Sequence, residues 1–240
     1  ASDQLFAAND SIFMLAESET FDHVNNGYFH TIYGWGMHHL FNDIAKGTKN
    51  ANSIDSLLAI KKGEITQGMY MNFITNHDEN SWNGTIAERM GANGEPMAIL
   101  AGTLTGMPLV YSGQESGSTK RLRFFEKDTV EWGSYSKTDL YQTINRLHHE
   151  QEALWNGSYG AQPVFIGVDS DNALAWTRSK GKSEVAVAVN FGDEAVSISM
   201  RHEGNPLEKF DQWQSVWGNV AASDEVNIAA HSASVWVKSN

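Results

Sequence analysis

Hydrophobic positions run along this chain in two rhythms, and the change comes about two thirds of the way along. In the first part, short continuous apolar runs alternate with stretches of helical spacing. Ile12 to Ala16 is a continuous run that ends in Glu17, the pattern of a strand buried on both faces. Residues 18–28 are rich in Asn and Gly and read as a loop, and Phe29–Trp35 is a second strand candidate. Met37, Leu40, Phe41 and Ile44 then recur at helical spacing, with Gly47 placed to end the helix. Residues 51–62 carry a second helical pattern, capped by Asn52 or Ser53. A third strand follows in "GMYMNFITNHD". "EPMAILAGTLTG" predicts a helix with Pro96 in its first turn and Gly106 at its end. "MPLVYSGQE" predicts a fourth buried strand, with Pro108 tolerated at its start. Leu140, Ile144, Leu147 and Leu154 mark a long helical pattern over 137–155.

After about Gln162 the rhythm becomes two. "NALAWTRSKGKSEVAVAVNF" reads as two strands around a Lys-Gly-Lys turn, and "AVSISM" and "ASVWVK" continue the pattern. The expectation is therefore an α/β part over 1–162, built from βαβ units with parallel pairing, and an all-β antiparallel sandwich over 163–240. Ligands bind at the carboxyl ends of parallel strands. Three such ends carry polar groups: Glu17, then Asn76-His77-Asp78, then Ser112-Gly113-Gln114-Glu115.

Composition narrows the function. A formal net charge of -12 over 240 residues disfavours nucleic acid and anionic membrane surfaces as partners, and leaves neutral ligands such as sugars open. The absence of cysteine excludes disulfides and thiolate metal sites. Pro96 to Gln114 is uncharged and has Gly102 and Gly106 at GxxxG spacing, but its prolines and glycines favour a buried helix and strand over a membrane span. "ASDQLFAAND" shows neither the basic head nor the apolar run of a signal peptide. His38-His39 and His148-His149 lie in helical patterns, where adjacent residues do not share a face, so no metal site is expected from them.

Two carboxylates from neighbouring strands, facing one cleft, are equipment for cleaving a glycosidic bond. One must be protonated to assist the leaving oxygen, and negative charge must stabilise an oxocarbenium-like transition state. His77 can hydrogen-bond sugar hydroxyls and bias the charge of Asp78, while Tyr33, Trp35 and Trp82 offer rings for sugar faces. Each feature also has a plainer reading. A Glu ending a strand is commonly solvated, an Asn-His-Asp run is commonly a turn or cap, and Glu115 sits beside a turn glycine.

The motifs are more specific than that chemistry. "FITNHD" resembles the fourth signature of the α-amylase family, glycoside hydrolase family 13. "IFMLAE" resembles its third signature, and "GMPLVYSGQE" its strand-eight region. "RFFEKDTVEW" and "INRLHHEQEALWNGSYG" are similar to its late barrel segment. The resemblance implies the last four strand–helix units of a (β/α)8 TIM barrel followed by the β-sandwich domain. It implies Glu17 as general acid/base, Asp78 as the carboxylate that stabilises the transition state, and His77 as a substrate-binding neighbour. Asn76 would shape the turn at the substrate, with Tyr33 and Trp35 near the site. The family's Gly-Phe-Arg-x-Asp nucleophile context and its first-strand signature do not occur here. The expectation is thus a fragment of a retaining α-1,4-glucan hydrolase, inactive alone, with the missing N-terminal half of the barrel as its partner. The family's calcium site is built largely upstream, so no cofactor or metal is expected of this chain. Family resemblance favours a secreted or periplasmic location. The alternatives are a transglycosylase or other α-glucosidase of the family, or a non-catalytic carbohydrate-binding protein. In the last case Trp176, Trp213, Trp217 and Trp236 would supply stacking surfaces, although tryptophan in such a domain is more often core.

Overall fold

The computed structural model describes residues 2–9 and 11–238. Helix α1 (Ser2–Ala8) precedes strand β1 (Leu15–Ala16), and a short helix α2 (Asp22–Asn25) leads to β2 (Thr31–Tyr33). Helices α3 (Trp35–Ala45) and α4 (Ser53–Lys61) connect to β3 (Met69–Asn72). Helices α5 (Ile86–Met90) and α6 (Gly94–Thr103) connect to β4 (Met107–Pro108), and α7 (Thr138–Glu150) follows. The four strands lie side by side in chain order, all parallel, with Leu15 opposite Thr31, Thr31 opposite Met69 and Met71 opposite Met107. Helical crossovers are what parallel neighbours require, and the shared direction brings the residues after each strand to one edge.

Helix α6 explains the uncharged stretch. Its residues from Pro96 to Thr103 are all buried, because Ile74, Leu140, Ile144 and Leu147 share its core with Trp176, Val187 and Val235 from the β part. A helix apolar on all sides needs such surroundings. At Gly102 a Cβ would sit 2.6 Å from Ile144 Cγ2, so this glycine lets α6 and α7 approach closely. Among the described residues no helix is long and apolar enough to cross a membrane.

Several sequence expectations need correction. The first strand is not buried on both faces: Phe13 and Leu15 are exposed and only Ala16 is buried. It is an edge strand, paired with β2 on one side only among the described strands. Asn52 does precede α4, but its backbone is helical and its side chain makes no capping bond. Gly106 does not end α6, which closes at Leu104. It lies two residues further on, where a Cβ would meet Asn72 Nδ2 at 2.8 Å and Tyr70 O at 2.9 Å. The long helical pattern breaks at Gln151, and Leu154 is buried on a separate 3-10 turn.

From Val164 the chain is antiparallel β. The strands are β5 (Val164–Ile166), β6 (Ala173–Lys180), β7 (Ser183–Asn190), β8 (Val196–Ser199), β9 (Arg201–His202), β10 (Asn205–Pro206), β11 (Gln214–Trp217), β12 (Glu225–Ile228) and β13 (Ser232–Val237). A five-stranded sheet runs in the order β11-β13-β7-β6-β5, and β8 pairs with β12. The period-two pattern of β7 sorts by size rather than polarity. Ala186 and Ala188 face Ile198, Val226 and Ile228 of the small sheet, while Val185, Val187 and Val189 join the core of α6 and α7. Both faces of the large sheet are therefore covered.

This burial puts the tryptophans of the β part in its core, the commoner place for them, and not on a stacking surface. Trp176 and Trp236 are fully buried and Trp213 nearly so, while Trp217 packs partly buried against the shared core. One further tie joins the two parts. Arg178 of β6 is 1% exposed and donates from Nη1 to Thr103 O and Leu104 O, from Nη2 to Trp155 O, and from Nε to Ala161 O.

Candidate active site

Glu17 follows β1 and His77-Asp78 follow the extension of β3, so the parallel sheet delivers all three to one edge. Glu17 Oε1 lies 3.3 Å from His77 Nε2, which lies 3.7 Å from Asp78 Oδ2. One ligand atom of each falls within 4.8 Å of the others. The cluster is accessible, with Glu17 and His77 exposed or nearly so and Asp78 half-buried. Two carboxylates and an imidazole do not suit calcium, which takes six to eight oxygen ligands.

Tyr33 ends β2, between these two strands. Its ring is 5% exposed, stacked on Trp35 (5.4 Å between centroids) and edge-on to Phe73. Burial raises the pKa of its hydroxyl, and the charges of Glu17 and Asp78 raise it further. Tyr33 is thus electrostatically part of the cluster, but its ring face is already covered. Trp35 is likewise engaged, stacked on Tyr33 and edge-on to Phe73 at 5.0 Å.

Asn76 does shape the turn. Its Oδ1 accepts the Glu79 N–H at 2.8 Å, and its carbonyl accepts the Asn80 N–H at 3.0 Å. Its Nδ2 is buried without a hydrogen-bond partner. The turn continues into a π-helical turn, Glu79–Asn83. The third stretch lies in a turn beyond β4, where Gln114 accepts from the Tyr111 N–H and donates to the Tyr141 hydroxyl, both at 2.6 Å.

Beneath the turn lies a buried polar network that the sequence reading did not find. Glu79 Oε2 is 3.0 Å from His38 Nε2, and Glu79 Oε1 accepts from Asn83 Nδ2 at 2.9 Å. The His38 hydrogen bond is the main cause that holds the Glu79 pKa down to about 2 against the effect of burial; the His38 charge, Asn83 and Arg89 add to it. His38 Nδ1 faces Phe73 O at 3.1 Å, and its ring stacks on Phe73. Arg89 donates to Ile74 O and Gly84 O at 2.8 Å and to Asn42 Oδ1 at 2.7 Å. These contacts fix the chain on both sides of His77-Asp78. The available signal was His38 on the apolar face of α3, one turn from Phe41.

No family model matches the chain. Over 138 residues it is 28% identical to α-amylase MalA of Haloarcula japonica, covering 55% of this chain and 19% of that protein. Its fold is similar to that of the maltogenic α-amylase AmyB from Thermotoga neapolitana, with a TM-score of 0.79 and 14% identity over 99% of this chain and 57% of that one. An α-amylase from Lactobacillus plantarum matches with a TM-score of 0.74 and 16% identity, over 99% of this chain and 58% of that chain. A cyclic α-maltosyl-(1→6)-maltose hydrolase from Arthrobacter globiformis matches with a TM-score of 0.74 and 18% identity, over 98% and 51%. The chain thus matches about a fifth of the curated relative's length and spans somewhat over half of these solved structures.

Proposed function

We propose, on the premise that this chain is a portion of an α-amylase-family protein, as sequence and fold comparisons both support, that it supplies part of a retaining glycosidase site for α-1,4-linked glucans. The observation that carries this reading is the convergence of Glu17, His77 and Asp78 from two parallel strand ends. Residues 1–162 would be the C-terminal half of the catalytic barrel and 163–240 the β-sandwich behind it.

In this mechanism the Glu17 carboxyl gives its proton to the glycosidic oxygen as the bond from that oxygen to the anomeric carbon breaks. A nucleophilic carboxylate from outside residues 1–240 forms the glycosyl ester. Glu17, now ionised, takes a proton from water as that water attacks the anomeric carbon and releases the ester. Asp78 accepts hydrogen bonds from sugar hydroxyls and its charge stabilises the positive transition state. His77 sits between the two carboxylates and donates to a hydroxyl.

The test is maltooligosaccharide hydrolysis by the full-length protein, by its Glu17→Gln variant and by the 240-residue chain. The full-length protein should turn over, the variant should lose about three or more orders of magnitude, and the chain alone should be inactive. A nearly normal rate in Glu17→Gln refutes the role of Glu17. Robust turnover by the chain alone refutes the assignment of the nucleophile to another segment.

A further inference from the structure

The Glu17 carboxylate is held by little besides its own backbone. Among the described residues its one ion-pair partner is the His77 ring, at 3.3 Å. The direction of the side chain therefore depends on how the chain is fixed on either side. Before it, Ala16 pairs with Ile32 of β2. After it, Ser18 O accepts the Tyr33 N–H at 3.0 Å, and the Ser18 hydroxyl meets His23 Nδ1 at 2.9 Å. The next residue, Glu19, adds a charged tie that the mechanism above does not use.

Glu19 reaches two helices at once. Its Oε2 accepts the N–H of Gly36, the second residue of α3, at 3.0 Å. That N–H has no partner within its own helix, and the dipole there is positive. Glu19 Oε1 accepts from Nζ of Lys61, the last residue of α4, at 2.7 Å. The ammonium also lies 4.7 Å from the centre of the Tyr70 ring and 5.5 Å from that of Phe21, within cation–π range of both. The Lys61 side chain is 12% exposed and that of Glu19 24%, so the pair is shielded from water in a way that ordinary surface pairs are not. Further along the same loop, Asn25 Nδ2 donates to Glu64 O at 2.7 Å and Asn25 Oδ1 accepts the Thr66 N–H at 2.8 Å. The segment that follows Glu17 is thus sewn to the segment that leads into β3, the strand whose extension carries His77 and Asp78.

We propose that Glu19, held by Lys61, is a positioning residue that aims the Glu17 carboxyl at the glycosidic oxygen. This rests on the catalytic reading of Glu17. Glu19 itself gives no proton in this role, because its two oxygens are engaged by α3 and α4. A general acid works only within hydrogen-bond distance of the leaving oxygen, and a misplacement of about 1 Å can cost about a hundredfold. Without the Glu19 carboxylate the Ser18 bonds remain, so the loop keeps its course while the aim of Glu17 loosens. The loss then falls on proton donation. A sugar alkoxide needs that proton in order to leave, whereas a dinitrophenolate leaves without it. A tie that served stability alone would slow both kinds of substrate alike.

The test uses the full-length protein with two substrates, maltotetraose and dinitrophenyl α-maltoside, and compares kcat/KM, which covers the steps through cleavage of the glycosidic bond. Glu19→Ala should lower kcat/KM on maltotetraose by about ten- to a hundredfold, with the loss in kcat rather than KM, and on the dinitrophenyl substrate by about threefold or less. Glu19→Gln, which keeps an acceptor for the Gly36 N–H, should recover part of the loss. Lys61→Met should repeat the selective loss and Lys61→Arg should recover from it, which keeps the test decisive if Glu19→Ala fails to fold. An equal loss on both substrates, or no loss on either, overturns the positioning role. Glu17→Gln on the same two substrates separates the failures. If it loses maltotetraose selectively while the Glu19 and Lys61 variants do not, positioning is refuted and the catalytic reading stands. If Glu17→Gln turns over both substrates at the parental rate, the catalytic reading fails and the positioning role falls with it.

Discussion

Replacing Arg178 with Met tests how the β part is fastened to the helices. The guanidinium is enclosed with no carboxylate among its hydrogen-bond partners; it donates to four carbonyls at 2.7 to 3.2 Å. Two of these, Thr103 O and Leu104 O, belong to the end of α6, where carbonyls have no partner within the helix and the dipole is negative. The cost of enclosing the charge is visible: burial pushes the Arg178 pKa from 12.5 down to about 10. Methionine would relieve that penalty, worth roughly 3 kcal/mol at about 1.4 kcal/mol per pKa unit. Against this, each stranded buried acceptor costs about 1–3 kcal/mol. With four acceptors the loss outweighs the relief, and we expect Arg178→Met to destabilise the chain by about 3–5 kcal/mol. Urea unfolding followed by Trp fluorescence reads this as a lowered midpoint at unchanged slope. Arg178→Lys, a point donor without the planar fork, should recover only part of the loss. A Met variant within about 1 kcal/mol of the parent would refute the reasoning, because it would mean that desolvation cancels the bridge, as it does for some buried ion pairs.

Two further predictions concern buried contacts, one under the candidate site and one between α6 and α7. The Glu79 pKa is lowered from 4.5 to about 2 in the folded chain, so its contribution is fully present above about pH 4.5 and is lost as pH falls toward 2. That contribution is roughly 3 kcal/mol; Glu79→Gln should lower stability at neutral pH and flatten the acid limb of a melting-temperature profile, and an unchanged acid limb would contradict it. Gly102→Ala places a methyl 2.6 Å from Ile144 Cγ2 and should cost about 1–3 kcal/mol by overpacking, a cost that should shrink in an Ile144→Ala background, where that γ-methyl is gone; calorimetry on the single and double variants decides.

The site was legible where chemistry follows an apolar run in sequence. Glu17 and Asn76-His77-Asp78 each end a strand, and parallel pairing alone puts such ends on one edge. Asn76 behaves as Asn does in turns, with its side-chain oxygen on a backbone N–H two or three residues on. What escaped was set by distant partners. The exposure of Phe13 and Leu15 goes with β1 having one neighbour among the described strands, which an apolar run does not reveal. His38, Glu79 and Arg89 come from three elements, and no period in any one of them signals that their charges meet. Phe124 and Phe125 lie in an irregular loop against the exposed Trp82 ring, and Glu19 meets Lys61 from a helix that no pattern around it announces. The β7 pattern was correctly read as period two, yet its meaning needed the fold: alanine on one side, valine on the other, and no solvent face.

That two-sided sheet bears on how the chain can be divided. Cutting near residue 162 separates the polypeptide, but it would leave Val185, Val187 and Val189 as a row of bare valines and strip α6 of one of its walls. The piece from 163 onward should then pair with itself or aggregate, and the piece before it should melt early. Heat should therefore undo the chain in one transition, with the β part acting less as an appended module than as the last layer of the first part's interior.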